Sequence, residues 1–200
     1  MMRRAREQDG FFVIEVVAAI VILSIALLAL MAGYDSAFIS LHKSSQKSTA
    51  ATLVNQQLER YSALPYTALG LNPTLVAAVG DSTKPTYDAL YATNTLLDGT
   101  AVVNGQTVEN DGTANDYTQG SACTSDQTTP TCMPIQTVTG ADGRSYRIET
   151  FITQDASHSQ KVGLSNVGWT TMDVSVIVRD ATDNTKLVEA QTSFYSPPSS

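Results

Sequence analysis

Residues 11–32 read FFVIEVVAAIVILSIALLALMA, 22 residues in which only Glu15 and Ser24 are not apolar. As a helix rising 1.5 Å per residue the run spans about 33 Å, enough for a hydrocarbon core of about 30 Å. An ionised carboxylate near the centre of such a core costs on the order of 2.5–3.5 kcal/mol. Glu15 therefore reads as a group kept for a partner. Immediately upstream, a short leader with Arg3, Arg4 and Arg6 ends in Gly10.

Two ordinary readings of the run fall short. A secretory signal peptide has an apolar core of about 7–15 residues followed by a small-residue cleavage site. This run is longer, carries an acid near its start and ends in Ala29-Leu30-Met31-Ala32 without an A-x-A pattern. A plain signal anchor accounts for the length and the basic flank, but not for Glu15.

The junction Gly10-Phe11-Phe12-Val13-Ile14-Glu15 resembles the cleavage and methylation motif of type IV pilins and type II secretion pseudopilins. Residues 20–30 and Asn55 to Tyr66 are similar to PilV-type minor pilins, so the resemblance covers roughly the first third of the chain. It departs at Phe12 and Val13, where the family more often has Ser or Thr followed by Leu, and no Pro occurs before Pro65. The resemblance implies that a prepilin peptidase cuts between Gly10 and Phe11, that Phe11 is N-methylated, and that Glu15 guides subunit assembly. It implies a fold, the pilin-like lollipop, and a function, a structural subunit in or priming a pilus. The implied partners are other pilin subunits, the peptidase/methyltransferase and the inner-membrane assembly machinery. Two alternatives stay open: a secretion-system pseudopilin, and an uncleaved membrane-anchored surface-binding domain.

Charge orients the chain. Three Arg precede the apolar run and only His42, Lys43 and Lys47 follow it closely, so the positive-inside rule leaves the N-terminus cytoplasmic and sends residues after Ala37 outward. The expected location is a single-pass inner membrane, then a surface pilus. Without residues 1–10 the chain keeps 9 basic and 17 acidic residues, a formal charge of −8. That balance argues against nucleic acid or anionic lipid as partner. In an oxidising outer compartment Cys123 and Cys132 can pair as a disulfide; two free thiols or a metal pair are the other readings.

The helix should continue beyond the membrane. No Pro interrupts Gly33 to Leu64, and apolar side chains recur at Phe38, Leu41, Ala51, Val54, Leu58, Tyr61 and Leu64. Pro65 ends it. Residues 11–32 form the membrane or filament-core half and 33–64 the amphipathic half, about 80 Å together. Gly33 is a possible soft point. Residues 65–136 read as a variable, exposed, loop-rich region, with a hairpin at Ala101–Val108 around Asn104-Gly105 and a loop from Ser121 to Pro134. Residues 137–200 read as an antiparallel sheet: Ser145–Thr153, Thr171–Arg179 and Lys186–Tyr195, with Asp180–Thr185 as a turn. One apolar face, Met172, Val174, Val176 and Val178, needs the helix as cover, which makes the fold class α+β.

No catalytic pattern stands out. His42 and His158 sit in no triad or metal-ligand spacing and read as solvated surface. Asn110 to Asp116 offers oxygen ligands but departs from the EF-hand spacing and reads as an acidic turn without an ion. The expectation is a protein that is not an enzyme and has no cofactor or metal.

Overall fold

A computed structural model describes residues 8–97, 101–103, 106–108, 114–115, 123, 128–162 and 165–196. One long helix, α1 (Gln8–Ser62), is followed by a short 3-10 turn (Tyr66–Ala68), α2 (Pro73–Gly80) and α3 (Ala89–Ala92). The strands β1 (Ala101–Val103), β2 (Gln106–Val108) and β3 (Ala114–Asn115) make a small antiparallel sheet. The main sheet is antiparallel in the order β4 (Ile135–Thr139), β5 (Ser145–Val162), β6 (Ser165–Asp180), β7 (Lys186–Tyr195). Contacts divide the chain into residues 1–45 and 46–200.

In the first unit the described side chains are exposed, among them Val13, Ile14, Ile22, Leu28 and Met31. By length and composition α1 is able to cross a membrane. The expected amphipathic half begins later than the sequence suggests. Phe38 and Leu41 are 59 % and 65 % exposed, and the first fully buried helix residue is Ala50. The buried stripe is Ala50, Val54, Gln57 and Tyr61, while Ala51 and Leu58 lie half-buried at its margins.

In the second unit that stripe packs with Tyr146, Ile148, Ile152, Met172, Val174, Val176 and Val178 on one face of the main sheet. Burying aliphatic or large apolar side chains is worth about 1.5–3 kcal/mol each, against about 0.5–1.5 for a net hydrogen bond. Burial of these residues therefore dominates the joint. At its edge the β4–β5 turn presses on the helix: a Cβ on Gly140 would lie 2.6 Å from both Thr49 Cγ2 and Tyr146 Cε2. Gly143, at φ +76°, supplies the left-handed residue of the same turn.

Four expectations need correction. The main sheet has four strands, because β4 occupies Ile135–Thr139, a stretch rich in Thr and Gln that carries little apolar alternation. Strands β5 and β6 run well past Thr153 and start well before Thr171, because the two pair with each other along a polar ribbon. The sheet is covered on both faces. The second layer is Tyr91, Leu96, Val102, Phe151 and Ile177, with the Tyr91 and Phe151 rings stacked at 4.5 Å. This explains why Phe151 and Ile177 break the simple alternation: they face the other side. Residues 65–136 are consequently not a uniformly exposed region. Leu69, Leu71, Val76 and Tyr91 are buried, on α2 and α3 and the segment before them.

The two small helices are built by local chemistry. Asn72 Oδ1 accepts from the Thr74 and Leu75 amides with Pro73 at the first position, and Asp88 Oδ1 accepts from the Tyr91 amide. The β1–β2 hairpin pairs Val103 with Gln106, as expected, and its Asn104-Gly105 turn lies outside the described residues. Of the Asn110–Asp116 segment only Ala114 and Asn115 are described, in β3.

Candidate functional site

The residues that carry the sequence motif lie at the start of α1. Gly10 and Phe11 are within the helix, which begins at Gln8 rather than at Phe11, so their backbone is helical here. Glu15 follows one turn after Phe11, exposed, with Val13 and Ile14 beside it at 62 % and 66 % exposure. It makes no ion pair with any described residue. A carboxylate in an otherwise aliphatic, uncovered stretch is available to a group from outside the chain.

Cys123 and Cys132 are far from this motif in sequence and are joined as a disulfide, both buried, with Cα atoms 5.4 Å apart. The joined loop reaches back to α1. Gln57 Nε2 donates to Pro130 O at 2.8 Å, and the Tyr61 hydroxyl donates to Thr131 O at 2.8 Å. Burial raises the Tyr61 hydroxyl pKa far above its ordinary value, so it stays a donor at any working pH.

Sequence reasoning missed a buried charge cluster under the second layer. Glu149, with no exposed surface, accepts from Arg147 Nε at 2.7 Å and Arg179 Nε at 3.0 Å, with Asn94 Nδ2 at 3.4 Å. Arg147 Nη1 also donates to Asp88 Oδ2 at 2.6 Å, and Arg179 Nη1 to Asn184 O at 3.2 Å. The cluster is two cations against two anions. Asp88 and Asn94 flank α3, so the cluster ties the segment around α3 to β5 and β6. One signal was legible: Arg147 and Glu149 alternate with Tyr146 and Ile148 in a strand, two charges on one face. Nothing local said that this face was covered.

Burial raises the Asp88 carboxyl pKa, but the Arg147 hydrogen bond, the Tyr91 amide and the Arg147 charge outweigh it and hold the group below its ordinary value. A carboxylate depressed in the folded state contributes stability that is present above its unfolded value and is lost as pH falls through its folded value. The urea midpoint should therefore decline as pH drops below about 4. Asp88→Asn keeps an oxygen for the Tyr91 cap and removes the charge. It should flatten that acid limb measurably while leaving part of it to Asp81, Asp142 and Asp183, whose pKa values are also lowered. An unchanged limb in the variant would refute the role given to Asp88.

Among the described residues no group of three or more His, Cys, Asp or Glu is placed to hold a metal ion. His42 is exposed on α1; His158 lies in β5 opposite Trp169. A groove of about 300 Å³ runs between Ser48, Thr49, Thr52, Leu53 and Gln56 of α1 and Thr139–Ala141, and its lining includes no acid or base. No protein-family model, curated protein or solved structure matches this chain.

Proposed function

We propose that this chain is a minor pilin, a structural subunit that enters or primes a type IV pilus after loss of residues 1–10. The observation that carries the reading is Glu15, an exposed acid without an ion-pair partner among the described residues, five residues past Gly10 in a helix of exposed aliphatic side chains. Cutting after Gly10 removes three Arg and creates an α-amine on Phe11, and methylation keeps its positive charge. Glu15 then meets the amine of a neighbouring subunit. In low dielectric the pair attracts, while desolvating both ions opposes it, so the net gain is small. Its value is register: an alignment that leaves Glu15 unpaired among apolar side chains is penalised. The long apolar surface from Val13 to Leu41 needs a cover, which lipid supplies before assembly and other subunits supply after it.

Processing tests the reading. Intact mass and N-terminal sequencing of the protein from sheared surface filaments should show a chain that begins at N-methylated Phe11. Recovery of the protein only in membranes, with Arg3 and Arg4 retained, would overturn the reading in favour of an uncleaved anchored domain. A cleaved chain found only with a secretion machine would turn it to the pseudopilin alternative.

A further inference from the structure

We infer that the Cys123–Cys132 disulfide is a latch for the end of helix α1, closed before the helix docks and inaccessible afterwards. The inference is independent of the filament reading. The three consecutive carbonyls that end the bridged loop are all occupied by other parts of the fold. Pro130 O accepts from Gln57 Nε2 at 2.8 Å and from Gln136 Nε2 at 2.6 Å. Thr131 O accepts from the Tyr61 hydroxyl at 2.8 Å, and Cys132 O from the Asn72 amide at 2.8 Å. Asn72 in turn caps α2. Through these backbone oxygens the described end of the loop gathers the last turns of α1, the start of α2 and the start of β4.

Such an arrangement depends on the loop's shape more than on its side chains. Thr129–Cys132 closes as a turn, with the Cys132 amide donating to Thr129 O at 2.9 Å, and the disulfide fixes the position of its last residue against Cys123. With the bond open, three carbonyls must find buried donors from a chain of ten residues that has regained its freedom. Gln57 and Tyr61 have no exposed surface, so losing their acceptors leaves buried donors unpaired, an unfavourable state that is relieved by undocking.

Burial sets the order of events. Both half-cystines are 1 % exposed. Closing the bond breaks two S–H bonds, forms one S–S bond and passes two electrons and two protons to a disulfide reagent, which leaves as a dithiol. The mixed-disulfide intermediate needs an approach to sulfur that the docked fold does not allow. Oxidation therefore precedes docking, and later reduction requires local opening.

The test uses the full chain in detergent micelles, with amide hydrogen exchange read segment by segment. The Cys123→Ser/Cys132→Ser double variant should exchange about 100-fold faster over residues 57–62 and 70–76, a factor that follows from the loop-closure contribution of a ten-residue loop. Residues 146–152 of β5 and 172–178 of β6 should keep their protection. Unchanged exchange at 57–62, or an equal loss throughout the sheet, would overturn the latch. A second measurement does not depend on the variant folding. Dithiothreitol added to the native oxidised protein should reduce the bond at a rate that levels off with reagent concentration, set by opening. A rate that rises linearly without limit would show that the sulfurs are open to attack and would equally overturn it.

Discussion

Glu149→Ala is expected to lower the unfolding free energy by about 3–5 kcal/mol, the cost typical of removing one member of a buried ion pair. Domains of this kind have only about 5–15 kcal/mol in hand, so the variant should sit close to unfolding. The physical cause is specific. Glu149 is fully buried between the Nε atoms of Arg147 and Arg179, and its loss leaves two guanidinium groups together with Asp88 as the remaining counter-charge. Glu149→Gln should cost less, because it keeps an acceptor while losing the charge. Lys186→Ala is an intermediate case: Lys186 is 39 % exposed, but the side chain of its partner Glu189 is only 3 % exposed. The loss should therefore exceed that of a surface pair and stay below that of Glu149→Ala, whose carboxylate meets two cations. Urea denaturation at neutral pH, followed by the single Trp or by far-ultraviolet dichroism, decides the ranking. A Glu149→Ala change of less than about 1 kcal/mol, the size of an exposed pair, would mean that the cluster is neutral in energy.

Glu15→Gln is expected to abolish, or reduce at least tenfold, entry of the protein into surface filaments. Insertion, cleavage after Gly10 and stability of residues 46–200 should be retained. The substitution preserves size and most hydrogen-bonding capacity, so the lost property is charge. A tenfold effect corresponds to about 1.4 kcal/mol, within reach of one ion pair in low dielectric even after desolvation. Comparison of membrane and sheared-filament fractions by immunoblot measures it directly, with the urea midpoint of residues 46–200 as a control for folding. Equal incorporation of wild type and variant would remove Glu15 from the assembly mechanism while leaving the processing of the leader as a separate question.

What the sequence determined by itself was the regular part. The apolar run from Phe11 and the lack of Pro before Pro65 are sufficient for one continuous helix, which the structure ends at Ser62. Lys186–Tyr195 was legible as a strand after the turn at Asp180–Thr185, and the α+β class followed from a sheet face that needed a helix. Cys123 and Cys132, the only two cysteines, left a single possible intrachain pair. These features depend on short-range sterics and on the period of apolar side chains, both of which are written locally.

Only the tertiary structure decided which faces are covered. Asp173, Ser175 and Arg179 alternate with Val174, Val176 and Val178 as residues of a solvated face would, yet Ser175 and Arg179 are buried. Gln57 reads as a polar interruption of the helical stripe until the Pro130 carbonyl is seen to accept from it. Strand β4 gains its place from pairing with β5, not from its own composition. Each depends on a partner distant in the chain, about 70 residues away for Gln57 and Pro130. A polar side chain carries the same local signature whether it meets water or a buried partner, and so its burial is set by long-range packing alone.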